Sequence, residues 1–207
     1  LTYDGAVVRY ADDLSGRIEL TVSASAATGY FNSPQAAATR KDTVAVADTG
    51  NDRVALVGAE TQYLQYAFSR PVAAGMDDRG NIYVAHKTNH IEIFSRAGAH
   101  LDTIRCDGQR IRDLKIDSLD DVVLRTDDGI YKLNGHALET LYTGRTQAVA
   151  CQPDGSGLYV LQDGRVSRLA DGALTETFAV AEGASDLAVD LQKTVYAVAG
   201  NTLYRYA

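Results

Sequence analysis

Four histidines have the clearest potential for metal or acid–base chemistry in this sequence: His86, His90, His100 and His136. His86 and His90 are only four residues apart, so a short loop could bring both imidazoles to one ion. A catalytic zinc site uses three protein ligands. The elements that carry His100 and His136 therefore decide whether such a site is expected.

Other catalytic motifs are missing from the sequence. No Gly-x-Ser-x-Gly motif marks a serine nucleophile, and no Gly-x-Gly-x-x-Gly loop marks a phosphate site. Asp residues recur in short polar segments such as Asp77-Asp78 and Asp120-Asp121, but one or two carboxylates at each place do not supply the oxygens that Ca²⁺ needs. Such Asp residues are typical of turns. The sequence therefore predicts no metal and no other cofactor.

Composition excludes several classes of protein. The 207 residues are 45% hydrophobic, and 20 basic against 27 acidic side chains give a formal net charge of −7, which argues against nucleic acid as a partner. No apolar run approaches the roughly 20 residues of a membrane-spanning helix, so no membrane insertion is predicted. Cys106 and Cys151 are too few for a disulfide scaffold, and both are predicted to be reduced.

A repeat along the chain supplies the elements that position these side chains. Each unit has a short apolar strand, a polar turn and a second apolar strand, and the second strands start at Val44, Ile82, Val122, Leu158 and Val195. The spacings of 38, 40, 36 and 37 residues indicate a structural repeat. Two further strands follow in most units, joined by hairpin dipeptides such as Asn134-Gly135 and Asp171-Gly172.

Four short strands per period, without helical periodicity, predict an all-β fold: a β-propeller of four-stranded antiparallel blades. We name the strands of a blade A to D from the central axis outward. A single domain over residues 1–207 is predicted. Its repeat units are 34–70, 71–107, 108–144 and 145–182, with partial units 1–33 and 183–207.

The predicted strands do not close the ring evenly, because six C strands stand against five of each other kind. We favour five blades that close by strand exchange between the termini. In that arrangement Arg17–Val22 would complete the last blade. In the alternative, the parent protein has six blades and this chain lacks some of their strands; such an unclosed ring would expose a strand edge, which proteins normally cover.

Two segments carry a family resemblance. Gly29–Pro34 followed by Val46–Val54 resembles the NHL repeat, and so does Gly80–Ile91. The resemblance covers most of the chain, is near complete in the first unit and weakens in units three to five; it implies an NHL-type β-propeller.

NHL-type propellers resemble the peptidyl-amidoglycolate lyases, whose zinc is held by histidines from different blades. Here His86 and His90 fall on one B–C loop. His100 and His136 fall in C–D turns, which a propeller places on the opposite face. A three-histidine zinc site is therefore not expected, although the His86–His90 pair could bind a metal weakly.

The D–A and B–C loops of a propeller share the face around the central channel, where ligands commonly bind. The candidate ligand-binding residues at these positions are Asp48, Arg70, His86, Arg112, Arg145, Gln162 and Asp186. Arginines there would suit the carboxylate or phosphate of a small anionic ligand. Polar loop tips are also common without any ligand, and no catalytic residue is assigned.

Two functions from different classes stay open. The sequence favours a non-catalytic protein-binding or scaffold module within a larger assembly, because no catalytic set converges. The alternative is a small-ligand-binding protein, or a lyase- or hydrolase-type enzyme, that uses the central pocket. A protein partner is expected in the first case and a small anionic ligand in the second. The chain starts at Leu1 without an initiator methionine, which favours an extracytoplasmic location, periplasmic or secreted.

Overall fold

The computed structural model describes residues 7–9, 18–20 and 31–206. These residues form 21 β-strands and one short 3₁₀ turn, Thr49–Asn51. The sheets comprise one strand pair, four four-stranded sheets and one three-stranded sheet. The five larger sheets are the blades of a β-propeller, which confirms the predicted fold class and the number of blades. In the part of the chain that the structure describes, no helix has the length and apolar character to cross a membrane.

The first compact unit spans Leu1–Ile104. Its N-terminal pair is β1 (Val7–Arg9) with β2 (Ile18–Leu20). Blade 1 consists of β3 (Ala36–Arg40), β4 (Thr43–Asp48), β5 (Arg53–Val57) and β6 (Thr61–Tyr63). Blade 2 consists of β7 (Pro71–Met76), β8 (Ile82–His86), β9 (His90–Phe94) and β10 (His100–Arg105).

The second compact unit spans Arg105–Ala207. Blade 3 consists of β11 (Ile111–Ile116), β12 (Val122–Thr126), β13 (Gly129–Asn134) and β14 (Ala137–Thr143). Blade 4 consists of β15 (Ala148–Cys151), β16 (Leu158–Gln162), β17 (Arg165–Ala170) and β18 (Ala173–Ala179). Among the described residues, blade 5 consists of β19 (Ala184–Val189), β20 (Val195–Ala199) and β21 (Thr202–Tyr206).

The predicted strand exchange between the termini is wrong for the residues that the structure describes. The sequence predicts that Arg17–Val22 completes the last blade as its fourth strand. The described part of that segment, β2, pairs with β1 instead, with Val7 opposite Leu20, and the last blade keeps three strands. The remaining residues of the segment lie outside the described part of the chain.

The inner strands of blade 1 bury side chains on both faces. Val44 and Val46 of β4 belong to one apolar cluster, whereas Ala45 and Ala47 belong to another that also contains Phe94 of blade 2. Successive residues of a strand point to opposite faces, so a continuous apolar strand needs a packing partner on each side. On one face of its inner strands, blade 1 packs against blade 2, and each blade thereby covers the apolar side chains of the other.

The same arrangement recurs in the second unit. Val149 and Val160 of blade 4 pack in a cluster with Val123 of blade 3, whereas Leu161 packs in a cluster with Leu187 of blade 5. The middle blade is therefore covered on both faces by its two neighbours. This burial explains why its inner strands are nearly continuous runs of apolar residues.

The Asp residues of the A–B turns bind their own backbone, as the sequence predicts. The Asp77 Oδ1 atom accepts a hydrogen bond of 2.7 Å from the Asn81 N–H, and Asp190 Oδ1 accepts one of 2.8 Å from the Thr194 N–H. Gly80 has a φ of 85°, a backbone conformation that side chains other than Gly disfavour. These aspartates are therefore turn residues.

Substitution of Ile82 tests the packing between the first two blades. Ile82 is 1% exposed within the shared cluster, so Ile82→Ala should lower the free energy of unfolding by about 2–5 kcal/mol. Leu191→Ala is the matched control, because Leu191 is 65% exposed and should change it by less than about 0.5 kcal/mol. Urea unfolding measures both. Similar losses in the two variants would contradict the packing.

Candidate functional site

Asp48 is a structural anchor rather than a pocket residue. It is fully buried at the end of β4, and its carboxylate accepts hydrogen bonds from the Asn32 N–H (2.6 Å), Asn51 Nδ2 (2.8 Å) and Arg53 Nε (2.6 Å). These contacts saturate both oxygens and fix the loop between β4 and β5. The sequence places Asp48 correctly at the end of a B strand, but it does not reveal that the carboxylate is fully occupied.

Arg70 is exposed in the connection to β7, with a positive φ of 48°. Its backbone N–H donates a hydrogen bond of 2.7 Å to Asp52 Oδ1. Both Asp48 and Arg70 therefore help to shape the connecting loops of the first unit.

In the second unit Arg112 forms a two-pronged ion pair with a residue that the sequence did not single out. Its Nε lies 2.5 Å from Asp127 Oδ1, and its Nη2 lies 3.2 Å from Asp127 Oδ2. The Arg112 hydrogen bond is the main reason why the pKa of Asp127 is below its usual range, with Arg110 and Arg145 adding to the effect. Arg112 and Arg145 therefore both act on the Asp127 carboxylate.

Asp113 is the most unusual group in that unit. Its side chain is buried on the innermost strand of blade 3, where the strand register shifts as at a β-bulge. Lys115 Nζ lies 3.2 Å from Asp113 Oδ2. Burial raises the pKa of Asp113; Lys115 and Arg125 act against that shift, whereas the Asp186 carboxylate adds to it. Bulges often re-aim side chains beside active sites.

Asp186 occupies the equivalent position of blade 5. It also follows a register shift, and its Oδ1 accepts a hydrogen bond of 2.9 Å from the Leu187 N–H, just as Asp113 Oδ1 accepts one from the Leu114 N–H. Burial acts to lower the pKa of Lys115, but Asp113 and Asp186 raise it above its usual value. Asp113, in direct contact, and the Asp186 carboxylate therefore both favour the charged form of Lys115.

Arg125 completes this charged group from the neighbouring strand β12. Its Nη1 donates a hydrogen bond of 3.2 Å to the Thr146 carbonyl oxygen, whereas its Nε is buried and has no hydrogen-bond partner.

Gln162, another predicted residue, accepts a hydrogen bond of 3.1 Å from the Tyr142 hydroxyl. Asp127, Arg125 and Asp113 were not among the candidate residues of the sequence; the recurrence of an Asp before Leu114 and Leu187 was the available indication.

The first unit contains a separate cluster around His86. His86 ends β8 and His90 begins β9, and their rings stack with centroids 4.4 Å apart. The Glu92 carboxylate, two residues further along β9, is 2% exposed. Ligand atoms of His86, His90 and Glu92 all lie within 4.8 Å of one another. Glu92 was missed because a single Glu inside a predicted strand carries no motif.

The sequence predicts that His100 lies in a turn remote from His86 and His90, and this prediction is wrong. It begins β10, and its Nε2 lies 2.6 Å from Glu92 Oε2. The Thr103 hydroxyl donates a second hydrogen bond of 2.6 Å to the same oxygen. The prediction failed because the strand register turns the His100 side chain back toward Glu92. His136 does lie in a turn, between β13 and β14.

The electrostatics of this cluster follow from burial and hydrogen bonding. Burial is the main cause that lowers the pKa of His86, and the neighbouring His90 adds to it, so the imidazole is neutral. The Ser69 backbone acts in the opposite direction, but no hydrogen bond of normal geometry reaches either ring nitrogen of His86. Burial would raise the pKa of Glu92, yet the hydrogen bonds from Thr103 and His100 outweigh it and lower the pKa.

Neither cysteine is suited to nucleophilic catalysis. Burial raises the pKa of Cys106 to about 11 and that of Cys151 to about 12, and both are free thiols in the structure. Cys106 is 1% exposed. The reactive form of a thiol is the thiolate, which these pKa values disfavour near neutral pH.

A cavity of about 510 Å³ opens elsewhere in the first unit, at the A–B turns of blades 1 and 2. It is lined by Arg40, Asp77 and Arg96 among others. An ion pair of 2.5 Å between Arg40 and Asp78 already neutralises charge there. The cavity adjoins Ile82, at the opposite end of β8 from His86, so it is not part of the histidine cluster.

Comparison with known proteins gives a likeness in fold alone. No protein-family model matches the chain, and no curated protein matches it in sequence. Streptogramin B lyase is similar in structure, with a TM-score of 0.70 at 11% identity over 98% of this chain and 76% of the other. A gluconolactonase from Xanthomonas campestris has a TM-score of 0.66 at 16% identity, covering 84% of this chain and 72% of the other.

A third similar structure is the hydrazine synthase of Kuenenia stuttgartiensis, with a TM-score of 0.63 at 15% identity over 79% of this chain. The chain spans only about half of that protein, 55% of its length. All three similar proteins are enzymes. This finding overturns the first choice of function, a non-catalytic scaffold.

Two aspartates with contrasting ion pairs provide a test of the site geometry. Asp48→Ala should lower the free energy of unfolding by about 3–5 kcal/mol, because it leaves the largely buried Arg53 guanidinium without its carboxylate. Asp127→Ala should cost only about 0–1 kcal/mol, because the Arg112–Asp127 pair is nearly half exposed. Thermal and urea unfolding of both variants measure the difference. Equal losses would show that Asp48 is not an anchor.

Proposed function

We propose that this chain is an NHL-type propeller enzyme of the lyase or hydrolase class that acts on a small anionic molecule. Its site would lie in the second unit, where the innermost strands of blades 3 and 5 carry Asp113 and Asp186. The observation that carries the proposal is the buried Asp113 carboxyl, 3.2 Å from Lys115 on the inner strand. The NHL assignment draws support from the Asp48–Arg53 pair in the segment that resembles the repeat.

The chemistry requires a base beside a fixed cation, and Asp113 with Lys115 offers that combination. A carboxyl group with a raised pKa is better matched to proton transfer near neutral pH than an ordinary aspartate. In hydrolysis, Asp113 would take a proton from the water that attacks the carbonyl carbon and return it to the leaving oxygen as the acyl C–O bond breaks. In elimination, it would take a proton from the carbon next to a carbonyl group while the C–O bond at the following carbon breaks and the ester oxygen leaves as a carboxylate. In both reactions Lys115 and Arg125 would stabilise the negative charge that develops on oxygen.

The exposed arginines account for substrate binding in this proposal. Arg112 and Arg145 lie around Asp127, and planar guanidinium groups bind carboxylates and phosphates with two parallel hydrogen bonds. Because Asp127 already occupies two nitrogens of Arg112, an anionic substrate would compete with it or bind beside it. Because two similar proteins are a gluconolactonase and a streptogramin B lyase, lactones that carry a carboxylate or phosphate group are the first substrates to test.

Replacement of Asp113 tests the role of the base. Asp113→Asn should reduce kcat/KM toward a responsive lactone by about 10²–10⁴-fold, because the amide cannot accept the proton. In the wild type, kcat/KM should rise with pH through the pKa of Asp113, above the usual range for an aspartate, because only the ionised form is a base. Proton release across a panel of lactones that carry a carboxylate or phosphate group measures both.

Glu139→Gln is the matched control, since Glu139 is exposed on the outermost strand of blade 3. It should keep the wild-type rate and pH profile, and circular dichroism should show all three proteins folded. Full activity in Asp113→Asn, or no turnover of the entire panel by the wild type, would contradict the proposal.

Arg112 provides a separate test of anion binding. Arg112→Ala should raise KM for an anionic substrate by about 10–100-fold, because a charge-assisted hydrogen bond contributes about 1.5–3 kcal/mol. Tyr204→Ala, a change on the outermost strand of blade 5, should leave KM unchanged. Steady-state kinetics compare the two. An effect of Tyr204→Ala equal to that of Arg112→Ala would favour a surface interaction over a substrate site.

A further inference from the structure

We propose that His86, His90 and Glu92 form a binding site for one divalent first-row transition metal ion, with Zn²⁺ as the first candidate. The site lies entirely in blade 2 and is independent of the proposed catalytic group in the second unit. It goes beyond the sequence-based expectation, which allowed the two histidines only weak binding and assigned no metal.

The β-hairpin itself brings the three ligands together. The strand register pairs Ala85 with Ile91, so the next pair outward is His86 with His90. Residues directly opposite each other in an antiparallel pair point to the same face, and Glu92 shares that face because it lies two residues along β9. The donor atoms are within 4.8 Å of one another, and small side-chain rotations would bring them to the shorter separations around one ion.

The two ring nitrogens of His86 indicate that the cluster lacks a partner. His86 is 1% exposed, and neither Nδ1 nor Nε2 makes a hydrogen bond of normal geometry, although the Ser69 backbone is near enough to act on its pKa. Buried polar groups in folded proteins almost always have a partner. Phe68 stacks on the ring with its centroid 5.5 Å away and supplies no polar atom. A metal ion bound to one nitrogen would provide the missing interaction.

The other two ligands are already held in orientations that suit a metal. His90 Nδ1 and Thr88 Oγ1 lie 3.0 Å apart, and in the tautomer that carries the proton on Nδ1 the lone pair of Nε2 faces Glu92 Oε1 at 3.4 Å. His100 and Thr103 both bind Glu92 Oε2, so Oε1 is the oxygen available for coordination. Hydrogen bonds from outer residues that orient ligands in this way are typical of metal sites.

The ligand set also narrows the choice of ion. Two imidazoles and one carboxylate suit Zn²⁺ and its first-row neighbours, whereas Ca²⁺ and Mg²⁺ prefer oxygen ligands in larger number. Three protein ligands leave a coordination position open for water or substrate, as in catalytic zinc sites. His90 is the most exposed of the three side chains, so we expect this open position on its side.

The test is Zn²⁺ binding to the whole 207-residue chain after treatment with a chelator, measured by titration calorimetry and by competition with a zinc indicator. The wild type should bind one ion per chain. His90→Gln and Glu92→Gln should each weaken Zn²⁺ binding by about 100-fold or more, because each removes one of three ligands. His136→Gln, a histidine in the β13–β14 turn, is the matched control and should bind as the wild type does.

Two readouts do not depend on enzyme activity. Zn²⁺ should raise the Tm of the wild type and of His136→Gln but not of His90→Gln, because only a folded site gains from binding. Co²⁺ in place of Zn²⁺ should give the visible absorption bands of an ion with nitrogen ligands in a low-symmetry site. Asp113→Asn should bind Zn²⁺ normally, which separates this proposal from the proposed function.

Several outcomes would overturn the site. No one-to-one binding by the wild type would refute it directly, whether or not any variant folds. Binding that survives both His90→Gln and Glu92→Gln, or that is lost in His136→Gln, would show adventitious surface binding only. Tighter binding of Ca²⁺ than of Zn²⁺ would exclude the ligand set that is proposed.

Discussion

Within each compact unit, the inner strands of neighbouring blades press their apolar faces together, and this double-sided burial constrains everything else in the structure. Val44 and Val46 of β4 point one way and Ala45 and Ala47 the other, and each pair belongs to a different apolar cluster. A strand that is covered on both faces has no side on which a charged residue meets water freely. Any ionisable group on such a strand therefore needs a partner within the protein.

Glu92 and Asp113 show two ways in which this requirement is met. The Glu92 carboxylate receives hydrogen bonds from His100 and Thr103, and these favour the ionised form strongly enough to outweigh burial. The carboxyl group of Asp113 has Lys115 as its close cationic partner, and burial prevails, so its pKa is raised. The first arrangement holds a fixed negative charge and suits a metal ligand. The second suits a group that exchanges a proton.

The similar structures are consistent with chemistry that comes from local side chains rather than from the fold. A lyase, a gluconolactonase and a synthase share this propeller architecture with the chain at 11–16% identity. One architecture therefore supports several reactions. The groups that could define the chemistry here are confined to a few positions: strand ends near His86 and irregular inner strands near Asp113 and Asp186.

The sequence by itself determined the blades, because strand alternation and hairpin turns are local properties. The predicted B strands begin at or within one residue of the observed ones, from Val44 in blade 1 to Val195 in blade 5. Arg112, Arg145 and Asp186 were selected as candidates from their predicted loop positions, and their role in a site stays a prediction. Asp48 was also found, but its carboxylate is saturated by three donors that only the folded loop supplies.

Only the tertiary structure decided which side chains meet. Glu92 lies in mid-strand, and nothing in its local sequence shows that His100, eight residues later, turns back to bind it. The physical reason is that the backbone pattern depends on neighbouring residues, whereas the partner of a long polar side chain depends on strand register and on the elements packed against it. Those arrangements exist only after the strands have paired.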